Sequence, residues 1–526
     1  MFSAGAVSKI ERPLPRDLEG QEGQEGSDKP NQRGILARSL RSLLTVEDGE
    51  VYEAQPGKNP RWYQKLLDAG VEKNGIKPVP VGQRTSTQYS SLFTVFFSCL
   101  LCLLPIPTGM LATLSMGMSL RDASLIILFF ALLTCIPPAF MGIGGLETGL
   151  RQLVQARYSF GLYLVTIPLL LNAATVTGFS LLSSIVGGQT LASLNPDTVS
   201  VNIGIVVVCL VSFALSLLGF NALHFWERWA WIPNLISIVI AVGCGGKYLY
   251  LQNDAEPANP SQVLTYGGLI AGYFITFGGT VSDYSIYHNP RGVSKLKIFL
   301  YIYAGLLLPS VPLLILGAAI GGAVPNVPAW KAAYAATGIG GVMAEMLAPA
   351  GGFGKFVLVM LALSVIGNIA ISMYSVALNL QMLLPFFARV HRFAFILATM
   401  AIMIPFAIRA AEAWEESLTN FLAVIGYWAG CFDAVLIVEL VAFRRMDYST
   451  FDHAFWNVGR KLPPGIAAVA ASLVSMALVV PGMAEPWYTG PIAAQTGDIG
   501  FEMAFAVTAI SYLAFRWLEI RWRRHL

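Results

Sequence analysis

A chain of 526 residues that is 55% hydrophobic, only 12% charged and of mean hydropathy +0.61 lies outside soluble composition and reads as a polytopic membrane protein. Its net charge of +3 gives no basis for a nucleic-acid partner; the lipid bilayer is the expected one, and the placement of Lys and Arg carries the information. Cys99, Cys102, Cys135, Cys209, Cys244 and Cys431 all fall inside apolar segments and read as small packing residues rather than disulfides or metal ligands.

Residues 1–88 form a polar cytoplasmic tail, partly disordered because QEGQEGSDKPNQRG buries nothing. Between Asn59 and Asp68 a short amphipathic helix lying on the membrane surface is expected. A transmembrane domain over 89–520 follows, then a short cytoplasmic tail over 521–526. Apolar segments of about 20 residues, the length that crosses the hydrocarbon core, succeed one another near Leu92 to Met118, Ala123 to Ile143, Tyr158 to Val186, Val199 to Phe220, Trp229 to Leu251 and Leu264 to Tyr287. They continue at Ile298 to Ala323, Phe353 to Phe387, Phe393 to Ala411, Leu418 to Phe443, Pro463 to Met483 and Ile499 to Trp517, so that an all-α membrane protein of about twelve spans is expected.

Orientation follows from the loops. Arg151, Arg157, Arg228, Arg291, Lys295, Lys297, Arg389, Arg392, Arg444, Arg445, Arg460, Lys461, Arg521, Arg523 and Arg524 fall on one side, and the opposite loops are acidic, which puts both termini in the cytoplasm. In this arrangement Arg151 and Arg157 fix topology and pack against acidic groups such as Glu147.

Two spans carry breaks. In the first, Pro105 and Pro107 followed by Gly109 sit midway, and an internal proline removes a helical hydrogen bond. In the sixth, Gly278 and Gly279 form a weak point, since each Gly costs about 1 kcal/mol against Ala in a helix, and Asp283 follows near its inner end. Broken backbone at membrane depth is tolerated only where protein or a wet cavity satisfies it. Paired interrupted helices at corresponding positions of two halves are the mark of an inverted-repeat secondary transporter with its site at the midplane.

Polar residues in the spans refine this. Asn368, Ser372, Ser375 and Asn379 recur at helical spacing in span eight, and Asn172, Thr175 and Ser183 do so in span three. Interhelical hydrogen bonding is the preferred account of Ser375 and Asn379. Asp433, inside span ten, is the candidate for proton coupling because ionisable residues at membrane depth are functional by default, although neutralisation in place or a bond to a neighbouring helix would also account for it. Span eight offers Ser364 where a sodium site would need a pair of hydroxyls, which favours protons over sodium as the coupling ion. No cofactor or metal is expected: the five histidines lie in loops or the tail and do not cluster with Cys or paired carboxylates.

The strings GLRQLVQARYSFG (Gly149 to Gly161), NAATVTGFSLLSSIVGGQTL (Asn172 to Leu191), HFWERWAWIP (His224 to Pro233), SDYSIY (Ser282 to Tyr287), MYSVAL (Met373 to Leu378), VIGYW (Val424 to Trp428) and WYTGPIA with GDIG (Trp487 to Gly500) resemble the fungal purine-cytosine permease branch of the nucleobase-cation symporter family. The resemblance runs from about Gly70 to the C-terminus. It implies a LeuT-like fold, a five-plus-five inverted repeat with broken helices one and six, carrying cytosine or purines inward across the plasma membrane with protons. It places the substrate-binding residues at Asn172, Phe277, Asn368 and Ser372, to which the neighbouring Gly278 is added; the helix-break or gating residues, read from the breaks themselves, are Pro105, Pro107, Gly109, Gly279 and Asp283. A planar base would stack on the ring and be read along its edge by amides and hydroxyls.

The departures from the family pattern matter as well. Phe277 stands where the family has Trp, Gly278 and Gly279 where it has Ser, and Ile369, Ile371 and Ser372 where it has Asn, Pro and Asn. Leu100, Cys102, Pro105 and Pro107 replace Asn and Ser positions, and Pro168 aligns with a Trp. A site with fewer polar groups is expected to prefer another, less polar nitrogen heterocycle, a vitamin or ureide included. A non-transporting nutrient receptor of the same fold is the alternative. No catalytic constellation marks an enzyme.

Overall fold

The computed structural model describes residues 75–217, 228–384, 387 and 390–523. The expected surface helix between Asn59 and Asp68, the disordered opening of the tail, the HFWE portion of the third matched string, Arg389 and Arg524 lie outside the described residues.

Span one is a bent pair, α1 (Ser90–Leu100) and α2 (Pro105–Met110), the latter continued by a π turn at Leu111–Ser115; the two halves meet at 65°. The bend falls four residues before its expected place. Pro105 does not break a helix but opens one, in the first turn, where its missing N–H costs nothing. Gly109 is not at the break either: a Cβ there would collide with the Leu314 carbonyl, so it serves close packing against α10 (Lys295–Ala323).

Span two is α3 (Leu120–Thr134) with α4 (Ile136–Thr148). A short α5 (Gln152–Leu164) leads into span three, α6 (Thr166–Ala192), followed by α7 (Val201–Leu217), α8 (Trp231–Gly245) and α9 (Pro260–Ile275). Beyond α10, two helices that the hydropathy pattern did not announce, α11 (Pro328–Thr337) and α12 (Ile339–Leu347), precede the split span eight, α13 (Gly351–Leu363) and α14 (Val365–Leu383). Then come α15 (Arg392–Ala411), α16 (Trp414–Val438), α17 (Ile466–Gly482), a two-residue hairpin of β1 (Ala484–Glu485) and β2 (Tyr488–Thr489), α18 (Ala493–Thr496) and α19 (Gly500–Arg523).

Among the described residues seven helical stretches are long and apolar enough to cross a membrane, or eight with the bent pair counted as one. The other four expected crossings hold helices of 15 to 17 residues: α7, α8, α9 and α17. The core is built where α6 lies on α14, α10 on α1 and α2, α16 on α9, and α19 on α16 and α17.

The segment leading into span one is strapped to the end of span two. Arg84, 2% exposed, donates from Nε to Val79 O (2.8 Å), from Nη1 to Leu146 O and Glu147 O (both 3.1 Å) and from Nη2 to Thr148 O (2.8 Å). The last three are open carbonyls of the α4 C-terminus, where a cation also meets the negative end of the helix dipole. Gly149, with φ 68°, supplies the left-handed cap, and a Cβ there would strike the Arg84 guanidinium. Arg84→Ala is therefore expected to cost about 2–3 kcal/mol, read as a lower melting temperature of the purified protein.

On the acidic side a carboxyl cluster ties span ten to the loop between the last two spans. The Tyr427 hydroxyl donates to Glu485 Oε1 (3.1 Å) and to Asp498, whose Oδ2 also accepts from Ala484 N (3.0 Å). Burial pushes the Glu485 carboxyl up to about 7; the neighbouring Asp498 charge adds to this, and the Tyr427 hydroxyl opposes it. The folded protein thus binds more protons than the unfolded chain between 4.5 and about 7, so the contribution of Glu485 to stability is largest in acid and is lost as pH rises through 7. Melting temperatures measured from about pH 5 to about pH 8 should fall in the wild type, and Glu485→Gln should flatten part of that slope.

Candidate functional site

The sixth crossing loses its α-helix at Thr276. Two 3-10 turns, Thr276–Gly279 and Val281–Tyr284, are separated by Thr280 at φ −135°. Gly278 and Gly279 do not adopt positive φ. What requires glycine there is space: a Cβ on Gly278 would collide with the Asp433 carboxylate, and one on Gly279 with the Asn172 amide.

The backbone freed at span one is satisfied by side chains from spans five and eight. Asn234 Nδ2 donates to Leu101 O (3.1 Å), Asn368 Nδ2 donates to Cys99 O (3.3 Å), and Leu103 N donates to Ser364 Oγ (3.3 Å). At span six, Ser282 N donates to Gln152 Oε1 (3.3 Å), while Ser282 Oγ donates to Met141 O (2.9 Å) and Ser285 Oγ to Gly142 O (2.8 Å), which fastens the segment to α4. Both interruptions are thus built into the protein, as broken backbone at membrane depth demands.

Between the two breaks lies a cavity with about 60 Å³ of space for the centres of water molecules. Span six contributes Thr276, Phe277 and Thr280, span three Thr175, Val176 and Phe179, span eight Asn368, Ile371, Ser372 and Ser375, and span one Cys99, Leu100 and Leu104. Phe277 stands edge-on to Phe96 (centroids 6.1 Å apart, 83°), and Phe96 also meets Tyr284 (5.2 Å, 71°), so the rings hold one another in place. Trp428 on α16 donates from Nε1 to Thr175 Oγ1 (2.9 Å), which fixes that hydroxyl in the cavity wall.

Tyr284, Ile371 and Ser375 also line a larger vestibule of about 320 Å³ on the arginine-rich side, together with Arg151, Arg228, Asp283 and His288. The opposite side is tied shut above the cavity. Glu415 accepts from Ser115 Oγ and from Tyr334 OH (both 2.7 Å), and Gln262 Nε2 donates to Met116 O (3.1 Å), which joins the ends of spans one and six on that side.

Phe277, Asn368 and Ser372 therefore share one cavity. Asn172 and Gly278 do not line it: Asn172 is fully buried against Gly279, one turn from the cavity-lining Thr175. Ser375 lines the cavity, and its hydroxyl makes no hydrogen bond among the described residues, contrary to the interhelical bond expected of it. Asp283 caps α5, accepting from Gln152 N (2.8 Å) and pairing with Arg151 (3.6 Å), so Arg151 meets Asp283 rather than Glu147. Glu147 pairs with Lys295 (3.9 Å), and Arg157 donates to Asn457 Oδ1 (3.0 Å).

Sequence reasoning missed Thr276, Thr280, Tyr284 and Cys99 as wall residues. The hydroxyls flanking Gly278 and Gly279 were the available signal, since any residue beside a break shares its depth.

Two broken crossings enclosing a cavity that opens to one side define a membrane transporter of the broken-helix kind rather than an enzyme. The comparisons agree in fold: 86% of the chain superposes on 96% of Mhp1, a nucleobase-cation-symport-1 family transporter solved in a closed conformation with bromovinylhydantoin bound, at TM-score 0.63 and 15% identity. Residues 78–507 match the family described as permeases for cytosine/purines, uracil, thiamine and allantoin, and the chain belongs to that family. It is 33% identical to the purine-cytosine permease fcyB of Emericella nidulans over 90% of this chain and 94% of that one. To the purine-cytosine permease FCY2 of Saccharomyces cerevisiae it is 30% identical over 96% and 97%.

Proposed function

We propose that this permease is a proton-coupled symporter of a small planar nitrogen heterocycle, of the purine or cytosine class, at the plasma membrane with both termini in the cytoplasm. The observation that carries the substrate class is the cavity wall: aromatic rings, Phe277 together with Phe179, Tyr273 and Tyr284, with an amide and hydroxyls, Asn368, Ser372 and Thr175, among them. Stacking on a ring with hydrogen bonds at the edge is how a base is held without water. In this orientation the vestibule faces the cytoplasm, and the protein stands open inward with the outer ends of spans one and six joined. Spans one to five and six to ten form the inverted repeat, with alternating access about the cavity.

Protons rather than sodium are the coupling ion in this reading. The Ser364 hydroxyl, the oxygen span eight would offer a hard cation, already accepts from the backbone of span one, which supports that choice. The wall has fewer amides than the family pattern, which supports a heterocycle less polar than cytosine. Uptake of labelled cytosine, adenine and hypoxanthine in permease-null cells, across external pH with and without sodium, tests the whole reading. Saturable, acid-stimulated uptake of a purine is expected. High-affinity uptake of cytosine would overturn the shifted preference, sodium-dependent and pH-flat uptake the proton, and binding without uptake would indicate a receptor.

A further inference from the structure

The wall formed by Thr276, Phe277 and Thr280 has a reverse side. Behind it, Gly278 faces Asp433 of α16 and Gly279 faces Asn172 of α6, each so closely that a Cβ would collide with the side chain. Both side chains are fully buried. Neither carboxylate oxygen of Asp433 and neither amide atom of Asn172 has a hydrogen-bond partner among the described residues. Two unpartnered polar groups thus flank the interrupted turn on the face away from the ligand cavity.

The charged groups on the packed elements are engaged elsewhere. In the turn that follows α16, Glu439 is bound by Arg444 and Arg516, and on α16 itself Glu415 is bound by Ser115 and Tyr334. From α5, Arg157 reaches Asn457; beyond the turn, Asp283 pairs with Arg151; on α15, Arg409 pairs with Glu412. Glu485 and Asp498 share Tyr427, and Glu502 at the start of α19 lies in the field of Asp498. The titratable neutral groups are Tyr273 on α9, Cys431, which meets Ser475, and Tyr512, which donates to Glu439. No cation among the described residues pairs with Asp433. An isolated buried carboxylate costs several kcal/mol, so the group must hold a positive charge of its own, and where the Gly278 backbone already approaches too closely for a Cβ the ion that fits is a proton.

We propose that Asp433, assisted by Asn172, carries the proton that moves with the substrate, and that the Gly278–Gly279 backbone couples it to the ligand on Phe277. The inference rests on the symport reading above and adds its site. One carboxylate oxygen forms an O–H bond with a proton taken from the outer side and breaks it on release to the inner side, with no change of oxidation state. The Asn172 amide offers an acceptor for the acid form and a donor for the carboxylate. A ligand stacked on Phe277 bears on the 276–280 turn, and through it on the acid behind.

Infrared difference spectra of the purified protein in nanodiscs, titrated across pH without substrate, read the acid directly. Among the carbonyl stretches of protonated carboxylic acids, which include that of Glu485, one component should be present in the wild type and in Glu485→Gln, shift when adenine or hypoxanthine is added, and be missing in Asp433→Asn. No such band in the wild type overturns the proposal. In proteoliposomes with an imposed proton gradient, Asp433→Asn should still exchange labelled base, while its accumulation ratio falls to unity. Gly278→Ala, which crowds the acid without removing it, should weaken the response of the infrared band to substrate. Accumulation by Asp433→Asn with wild-type pH dependence overturns the proposal. If the wild type accumulates no base yet shows a titrating band that Asp433→Asn lacks, the nucleobase reading fails and the acid site stands.

Discussion

Glu439→Gln is expected to cost about 3–5 kcal/mol and to remove most of the folded protein at growth temperature, whereas Arg409→Ala should change stability by less than about 1 kcal/mol. Glu439 is 1% exposed and accepts from Arg444 Nε (3.0 Å), Arg516 Nε (2.9 Å), Arg516 Nη2 (3.0 Å) and Tyr512 OH (2.9 Å). Arg516, fully buried, completes the group through Nη1 to Glu519 Oε2 (3.1 Å). Two guanidinium and two carboxylate groups balance. Removing one carboxylate charge leaves a buried surplus cation, and that uncompensated charge, more than the lost bonds, sets the cost. The contrast with Arg409 and Glu412 is burial: that pair is 81% and 60% exposed, so water replaces what the mutation removes. The network joins spans ten and twelve to α5, where Arg444 Nη2 donates to Tyr158 O (3.4 Å). Glu439→Gln should thus lower the amount of folded protein at the membrane and leave the KM of surviving carriers unchanged. Fluorescence size-exclusion yield and thermal melts measure the first, uptake curves the second.

The crossings were legible because hydropathy over about 20 residues is a one-dimensional signal, the same whichever way a helix turns. The direction of a polar side chain is not. Asn172 and Thr175 lie one turn apart on α6, yet one is sealed behind Gly279 and the other lines the cavity. Pro105 marked span one as interrupted but not where, because proline is as much at home in a helix's first turn as it is disruptive in the middle. Gly278 and Gly279 drew notice for conformational weakness, and their actual reason, the bulk of Asp433 and Asn172 behind them, is a contact with residues far away in sequence. The helices α11 and α12 went unread because they are short and carry Gly338, Gly340 and Gly341 in and between them, which weakens any local signal.

Phe277→Ala should weaken ligand affinity by about 10- to 100-fold, since a stacked base is worth about 1–3 kcal/mol to an aromatic side chain. Phe277→Trp, which keeps a flat face, should retain binding. The supporting contacts make this a local effect. Phe96 lies against both Phe277 and Tyr284, so truncating Phe277 removes one edge contact while Phe96 keeps the other. Asn368→Ala should act differently. Its Nδ2 is tied to Cys99 O at the break of span one, which leaves the amide oxygen as the end able to accept from a ligand N–H. Truncation therefore removes an acceptor from the ligand and a donor from the unwound backbone together. Its cost should be larger for a base with a free ring N–H than for the N-methylated base, while Phe277→Ala should weaken both equally. Competition of adenine, hypoxanthine and their N-methyl derivatives against labelled substrate separates the two. An equal loss across the series for Asn368→Ala would mean that the residue only braces span one, and an undiminished affinity for Phe277→Ala would mean that the ligand does not stack there.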